Sequence, residues 1–161
     1  MTSRSGQART GLIIVAIVVI GALMAPWLLP WDPATQDLPN RLQGPTLAHW
    51  FGLDELGRDI LARVLLGARV SLMVGIIVVG VSSIVGLAVG GVSGYYGGRI
   101  DQVIGRVMDV LMAFPGMLLA IALVAVLGPS LVNVVLALAI IGWVGYARLV
   151  RGQVLRAREF E

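Results

Sequence analysis

Cysteine and lysine are both missing from these 161 residues, and histidine occurs once. Without cysteine there is no disulfide framework and no thiolate metal site. The single His49 cannot form a histidine metal cluster, and a lone histidine has the ordinary role of a surface or interface residue. Without lysine there is no phosphate-binding glycine loop of the lysine-containing kind. Charge is scarce as well: 13% of residues are charged, against about 25% in a typical soluble domain.

All 12 basic residues are therefore arginine. A pI near 10.2 would suit nucleic acid, but the arginines flank apolar segments instead of forming one patch, which points to membrane topology and away from nucleic acid. What is abundant is apolar: 58% of residues are hydrophobic and the mean hydropathy is +0.92. A chain of this size cannot hide that surface in a globule and needs lipid as its solvent. Every backbone N–H and C=O in lipid must be bonded internally, which selects helices, and a crossing takes about 20 apolar residues.

Charge-free stretches locate four spans. The first runs from Leu12 to Leu29, after Arg4 and Arg9. A cleaved signal peptide is the competing reading. The apolar run is long for one, and Pro26 follows Ala25 where cleavage would be awkward. Trp27 and Trp31 suit an interfacial aromatic belt. The second span is drawn from Val70 to about Val92. Ser82, Gly86, Gly90 and Gly94 recur every fourth residue there and form one face of very small side chains, suited to close helix packing in lipid. The third uncharged stretch, Val110 to Ala147, would make one helix of roughly 57 Å, nearly twice the hydrocarbon layer. Gly128-Pro129-Ser130 divides it into a hairpin of two spans. Pro115 either starts the third span or kinks it.

Four spans put the N-terminus, the 99–109 loop and the C-terminus on one side, with Arg4, Arg9, Arg99, Arg106, Arg148, Arg151, Arg156 and Arg158. Arg41, Arg58, Arg63 and Arg69 lie on the other. Positive charge in short loops stays cytoplasmic, so the N-terminus is expected inside. The outer segment, Pro30 to Arg69, begins as irregular loop. From about residue 54 an amphipathic helix is expected on the outer surface, with Ile60, Leu61, Val64 and Leu65 on one face and an Asp59–Arg63 pair on the other. An outward extension of span two is the alternative.

No Ser–His–acid set is evident beyond what His49 could offer, and the carboxylates Asp54, Glu55 and Asp59 sit among arginines, where local pairing is their expected role. No charge falls inside a span, so a proton relay or ion-coupled site has no support. An enzyme is the least expected class.

Three blocks carry a family resemblance. The first is His49-Trp50-Phe51-Gly52-Leu53-Asp54-Glu55-Leu56-Gly57-Arg58-Asp59, followed by Arg63 and Gly67-Ala68-Arg69. The second is Gly94-Tyr95-Tyr96-Gly97-Gly98 with Asp101, Arg106, Asp109, Phe114 and Pro115. The third is Trp143, then Tyr146 to Gly152. In this order the chain resembles the C-type permease subunit of dipeptide, oligopeptide and nickel ABC importers. Leu53 stands where the family usually has Thr, and Ala62 where Ser is frequent.

The resemblance implies an all-α membrane protein: four transmembrane helices of a type I ABC importer permease fold, incomplete at the C-terminus. Residues 1–30 would be the cytoplasmic tail and first span, 31–69 the outer segment, and 70–161 the front of the permease core. It implies import in a bacterial or archaeal cell membrane alongside a second permease subunit, cytoplasmic ATPases and an extracytoplasmic solute-binding protein, with no cofactor. Gly52, Asp54, Gly57, Arg58, Asp59, Arg63 and Arg69 carry the outer motif. Arg156, Arg158 and Glu159 are candidates for proximity to the ATPase, against a plain charge anchor. The family continues past this point into its coupling loop, so a truncated chain that does not transport alone is expected. A permease for another small solute and a non-transporting four-helix scaffold remain the alternatives.

Overall fold

The computed structural model of the protein describes residues 3–28 and 32–158, so Leu29 to Trp31 and Glu159 lie outside the described residues. Five α-helices account for most of the chain: α1 (Ser3–Leu28), α2 (Ile60–Tyr96), α3 (Gly98–Ala113), α4 (Gly116–Leu127) and α5 (Leu131–Arg158). Among the described residues there is no strand, only an isolated antiparallel bridge between Leu53 and Asp59. Two compact units result, residues 1–73 and residues 74–161.

In the first unit, α1 presents large apolar side chains outward, as with Leu12 and Ile17, and buries the small residues Ala22 and Ala25. A Cβ on Gly21 would lie 3.4 Å from Leu65. Pro26 falls in the last turn of α1, where the lost N–H bond costs least structure. Residues 32–59 are loop, with one 3₁₀ turn at Leu38–Asn40.

Residues 60–69 correct an expectation. They form no separate surface helix: the helix starts at Ile60 and runs without a break to Tyr96. Its 37 residues span roughly 55 Å, well beyond the ~30 Å of hydrocarbon. No proline interrupts this stretch, and an intact backbone hydrogen-bond ladder is what lipid demands. An extension of the second span is the arrangement found.

In the second unit a small core forms where Met108 meets Val144 and Ala147, flanked by Val89, Ile104, Leu111 and Trp143. Trp143 is thus partly packed in the core. The Gly128-Pro129-Ser130 turn divides α4 from α5 where the hairpin was expected, with Gly128 at φ +93°. Asn133 secures it by donating to the carbonyls of Leu127 and Gly128 at 2.8 and 2.9 Å.

Three described helices are long and apolar enough to cross a membrane: α1, α2 and α5. The α3–α4 pair supplies a fourth apolar segment, but bent by 84°. The break is at Phe114-Pro115, because proline biases the residue before it toward extended backbone; Phe114 has φ −96° and ψ 137°. Pro115 is both a kink and a start, since α4 begins at the next residue.

Candidate functional site

Two polar constellations stand out, one in each unit. In the loop of residues 32–59, Gly52 and Gly57 adopt φ +75° and +74°, a region that disfavours side chains. Space forbids them too. A Cβ at Gly57 would collide with the Asp37 carbonyl, and one at Gly52 would come 2.5 Å from the Gln43 carbonyl oxygen. Between these turns Asp54 collects donors. Its Oδ1 accepts the backbone N–H groups of Leu56 and Arg58 at 2.8 and 2.9 Å. Its Oδ2 accepts Arg58 Nε at 2.9 Å and Arg63 Nη1. Desolvation would raise the Asp54 pKa, but the Arg58 and Leu56 backbone N–H groups and the Arg58 guanidinium outweigh it and hold the pKa at about 2, below the usual 3.8.

Asp59 begins α2. Its Oδ1 accepts the Ala62 N–H at 2.7 Å, the N-cap arrangement that satisfies a free helix donor. Its Oδ2 accepts from His49 Nδ1 at 2.8 Å. The anticipated Asp59–Arg63 side-chain pair is therefore absent: Asp59 is occupied by the cap and by His49, and Arg63 turns back to Asp54. Leu53 and Ala62, the two departures from the family string, are both buried here. Asp32, Thr35, Asp37, His49, Leu53, Gly57 and Asp59 line a cavity of about 350 Å³. Arg69 is exposed further along α2. Among the described residues no cluster of His, Cys, Asp or Glu could hold a metal ion.

The second constellation ties together the ends of α2, α3 and α5. Ser82, Gly86, Gly90 and Gly94 are all buried against α5. A Cβ at Gly86 would strike Tyr146, one at Gly90 would strike the backbone of Ala147, and one at Gly94 would sit 2.8 Å from Val154. Gly142 of α5 faces Ser82, whose buried hydroxyl has no hydrogen-bond partner among the described residues. Contacts advance together along both helices, from 82 and 142 to 94 and 154, so α2 and α5 run parallel. A parallel pair requires a return pass between them, and α4 with its bend to α3 supplies it.

At the far end of this contact, Arg151 Nη2 donates to Asp101 Oδ2 at 2.7 Å, and Ser93 Oγ donates to Asp101 Oδ1 at 2.7 Å. Arg148 pairs with Asp109 at 2.9 Å. Arg158 reaches back to cap α2, donating to the carbonyls of Gly94 and Tyr95 at 3.2 and 3.0 Å. These residues and their neighbours border a cavity of about 490 Å³ lined by Asp101, Arg106, Asp109, Arg148 and Arg151 among others. Of the candidates for ATPase proximity, Arg158 is thus engaged within the chain, Arg156 is exposed, and Glu159 is outside the described residues. The Arg151–Asp101 tie joins residues 50 apart in sequence and had no sequence signal beyond both lying in the family blocks.

Comparison with known proteins gives two family matches in chain order. Residues 4–45 match the N-terminal transmembrane domain of oligopeptide transport permease C. Residues 82–161 match the inner membrane component of binding-protein-dependent transport systems. The chain is 49% identical over 153 residues to a glutathione transport system permease protein of Escherichia coli O6:K15:H31, covering 94% of this chain and 50% of that protein. It is 47% identical over 154 residues to a dipeptide transport system permease protein of Alkalihalophilus pseudofirmus, covering 96% and 51%. It is 43% identical over 151 residues to a probable D,D-dipeptide transport system permease protein of Escherichia coli K12, covering 94% and 51%. The chain spans about half the length of these relatives.

Proposed function

The chain belongs to the inner-membrane components of binding-protein-dependent transport systems, of the oligopeptide permease C type, and on that premise we propose that it forms part of a peptide-importing pathway. The observation that carries this reading is the identity of 43–49% over nearly the whole chain to permeases named for glutathione and dipeptides. The substrate class is a short peptide, with nickel complexes the alternative within the same resemblance. A second permease subunit completes the pathway, an extracytoplasmic binding protein delivers the solute, and ATP is hydrolysed on separate cytoplasmic subunits. This chain carries no reaction of its own.

The arginine distribution supports a cytoplasmic N-terminus, with residues 1–30 as tail and first span, 31–69 as outer segment, and 70–161 as the front of the permease core. In that orientation the outer motif from Gly52 to Arg69 faces the side where a binding protein arrives. The Arg156–Arg158–Glu159 end faces the ATPases. The Arg158 cap on α2 and the Arg151–Asp101 tie support a role for that end in passing movement into the helices, since both join α5 to the α2–α3 corner.

A chimera tests the proposal. Residues 4–158 replace the aligned half of the E. coli glutathione permease, co-expressed with that system's other subunits. ATP-dependent uptake of labelled glutathione or dipeptide is expected, and its loss when the ATPases are omitted. A chimera that assembles with its partners yet imports no peptide would reject the reading.

A further inference from the structure

One face of α5 makes four successive contacts. Ala147, Arg151, Val154 and Arg158 follow the i, i+3, i+4 spacing that puts side chains on one side of a helix. Ala147 meets Gly90 and Val154 meets Gly94, both at a closeness that glycine permits. Arg151 and Arg158 alternate with them and hold polar groups: Arg151 the carboxylate of Asp101, Arg158 the carbonyls of Gly94 and Tyr95. The face passes from bare packing to a polar grip as α5 nears its end.

The two grips differ in kind. Arg158 donates through Nη1 alone to main-chain carbonyls, a charge at a helix C-terminus that any cation can supply. Arg151 presents two nitrogens to one carboxylate: Nη2 donates to Oδ2 at 2.7 Å, and Nε donates to Oδ1. That geometry needs the planar guanidinium and fixes angle as well as distance. The same Oδ1 accepts the hydroxyl of Ser93, buried in the last turn of α2. Asp101, in the first turn of α3, therefore holds α2 and α5 with one carboxylate. The link it spans is otherwise soft, since Gly97 and Gly98 join α2 to α3, both at positive φ, +63° and +55°. The other α3–α5 pair is a weaker brace. The Arg148 and Asp109 side chains are 48% and 74% exposed, where water screens them, against 31% and 18% for Arg151 and Asp101.

We propose that Asp101 is a positioning residue of the transport cycle: gripped by Arg151, it makes the α2–α3 corner follow the end of α5. The inference rests on the importer reading, in which that end faces the ATPases, and it names the pair through which their movement enters α2. Arg158 adds charge at the corner, but the two-nitrogen grip on Asp101 sets its angle.

Two measurements test it. The chain has no cysteine, so V103C on α3 and L149C on α5, both exposed, give the full chain two spin labels, and the distance between them is measured in lipid nanodiscs. A narrow distribution is expected, broadened by R151Q, by D101N and by R151K, which keeps the charge without the fork. The second measurement is glutathione imported per ATP hydrolysed by the chimera described above, reconstituted in vesicles with its partners. D101N and R151Q are each expected to lower this ratio about ten-fold, the size of a hydrogen bond to a charged group. The double variant should lose no more than either single one, because all break one contact. R148Q is expected to lower the ratio less than about two-fold, as befits an exposed pair. A merely structural role would reduce the amount of assembled complex and leave the ratio intact. In a parent chimera that imports, four results overturn the proposal: an unaltered distance distribution in R151Q, an unchanged ratio in D101N and R151Q, losses that multiply in the double variant, or R148Q matching R151Q. A parent chimera that assembles yet imports nothing rejects the importer reading, and this role with it.

Discussion

Asp54 in the 32–59 loop accepts four hydrogen bonds from donors within the next nine residues. Along the α2–α5 contact, Ser82, Gly86, Gly90 and Gly94 bring no side-chain hydrogen bond at all, since three have no side chain and the fourth has no partner. The loop is held by directed polar bonds around glycine turns. From Ser82 to Gly90 the helix pair is held by closeness, and polar bonds from Arg158 and through Asp101 join it only at its end. Each method suits its surroundings: in water a loop has little apolar area to bury, and in lipid apolar burial gives no advantage over the tails, so association falls to tight packing. Glycine serves both regions for different reasons, positive φ at 52 and 57, and bare space at 86 and 90.

The largest effect is expected where closeness is destroyed. Gly90→Leu drives a side chain into the Ala147 backbone and should cost about 3 kcal/mol or more, since backbone cannot step aside as a flexible side chain would. Thermal unfolding in detergent measures it. The same substitution at Gly91, where a Cβ meets nothing within 4 Å, should be nearly silent; equal effects at 90 and 91 would refute the packing account.

A polar bond in the loop should matter less. Asp59→Ala removes the helix cap and the partner of His49 and is expected to cost about 2 kcal/mol, whereas Asp59→Asn keeps a capping oxygen and should cost about half as much. Amide exchange in the first turn of α2 distinguishes the two.

Acid should separate the regions. The Asp54 pKa is about 2 in the folded loop and 3.8 ordinarily, so its ionised form stabilises the loop at all pH values above 3.8. That contribution falls away as pH drops through 2. Proteolysis resistance of residues 37–59 should decline over this window, and Asp54→Asn should abolish the dependence on that group. On α2 the stretch 82–90 carries no titrating side chain and should respond little to the same acid, whereas the Ser93–Asp101–Arg151 tie at its end should loosen with it.

The smallest change is expected at Ser82. Its hydroxyl is buried without a partner, so Ser82→Ala should be neutral or stabilising by up to about 1 kcal/mol. A clear loss of stability would show that the hydroxyl makes a bond of its own in the membrane.

The spans were legible because lipid imposes a coarse rule, long runs without charge, and the four-residue recurrence of Ser82, Gly86, Gly90 and Gly94 already marked the face that α5 covers. The hairpin at Gly128-Pro129-Ser130 was legible from turn chemistry. The 32–59 loop was legible as a motif but not as a geometry. Asp59 and Arg63 have suitable spacing for a pair, yet a helix cap and His49 compete for the same carboxylate, and spacing alone does not rank such competitors. The extension of α2 through residues 60–69 was equally hidden, because an amphipathic stretch reads alike whether it lies flat or continues a span.

Sequence by itself determined the solvent of this protein, the number of apolar segments and where small residues had to recur, since each of these depends on composition and period along the chain. Tertiary structure alone decided that Arg158 would cap α2, that Arg151 would hold Asp101 fifty residues away, and that α3 would turn through 84° with its arginines left outward. Those outcomes depend on which groups meet in space once helices pack, and a charged side chain takes whichever partner the packed backbone brings within reach.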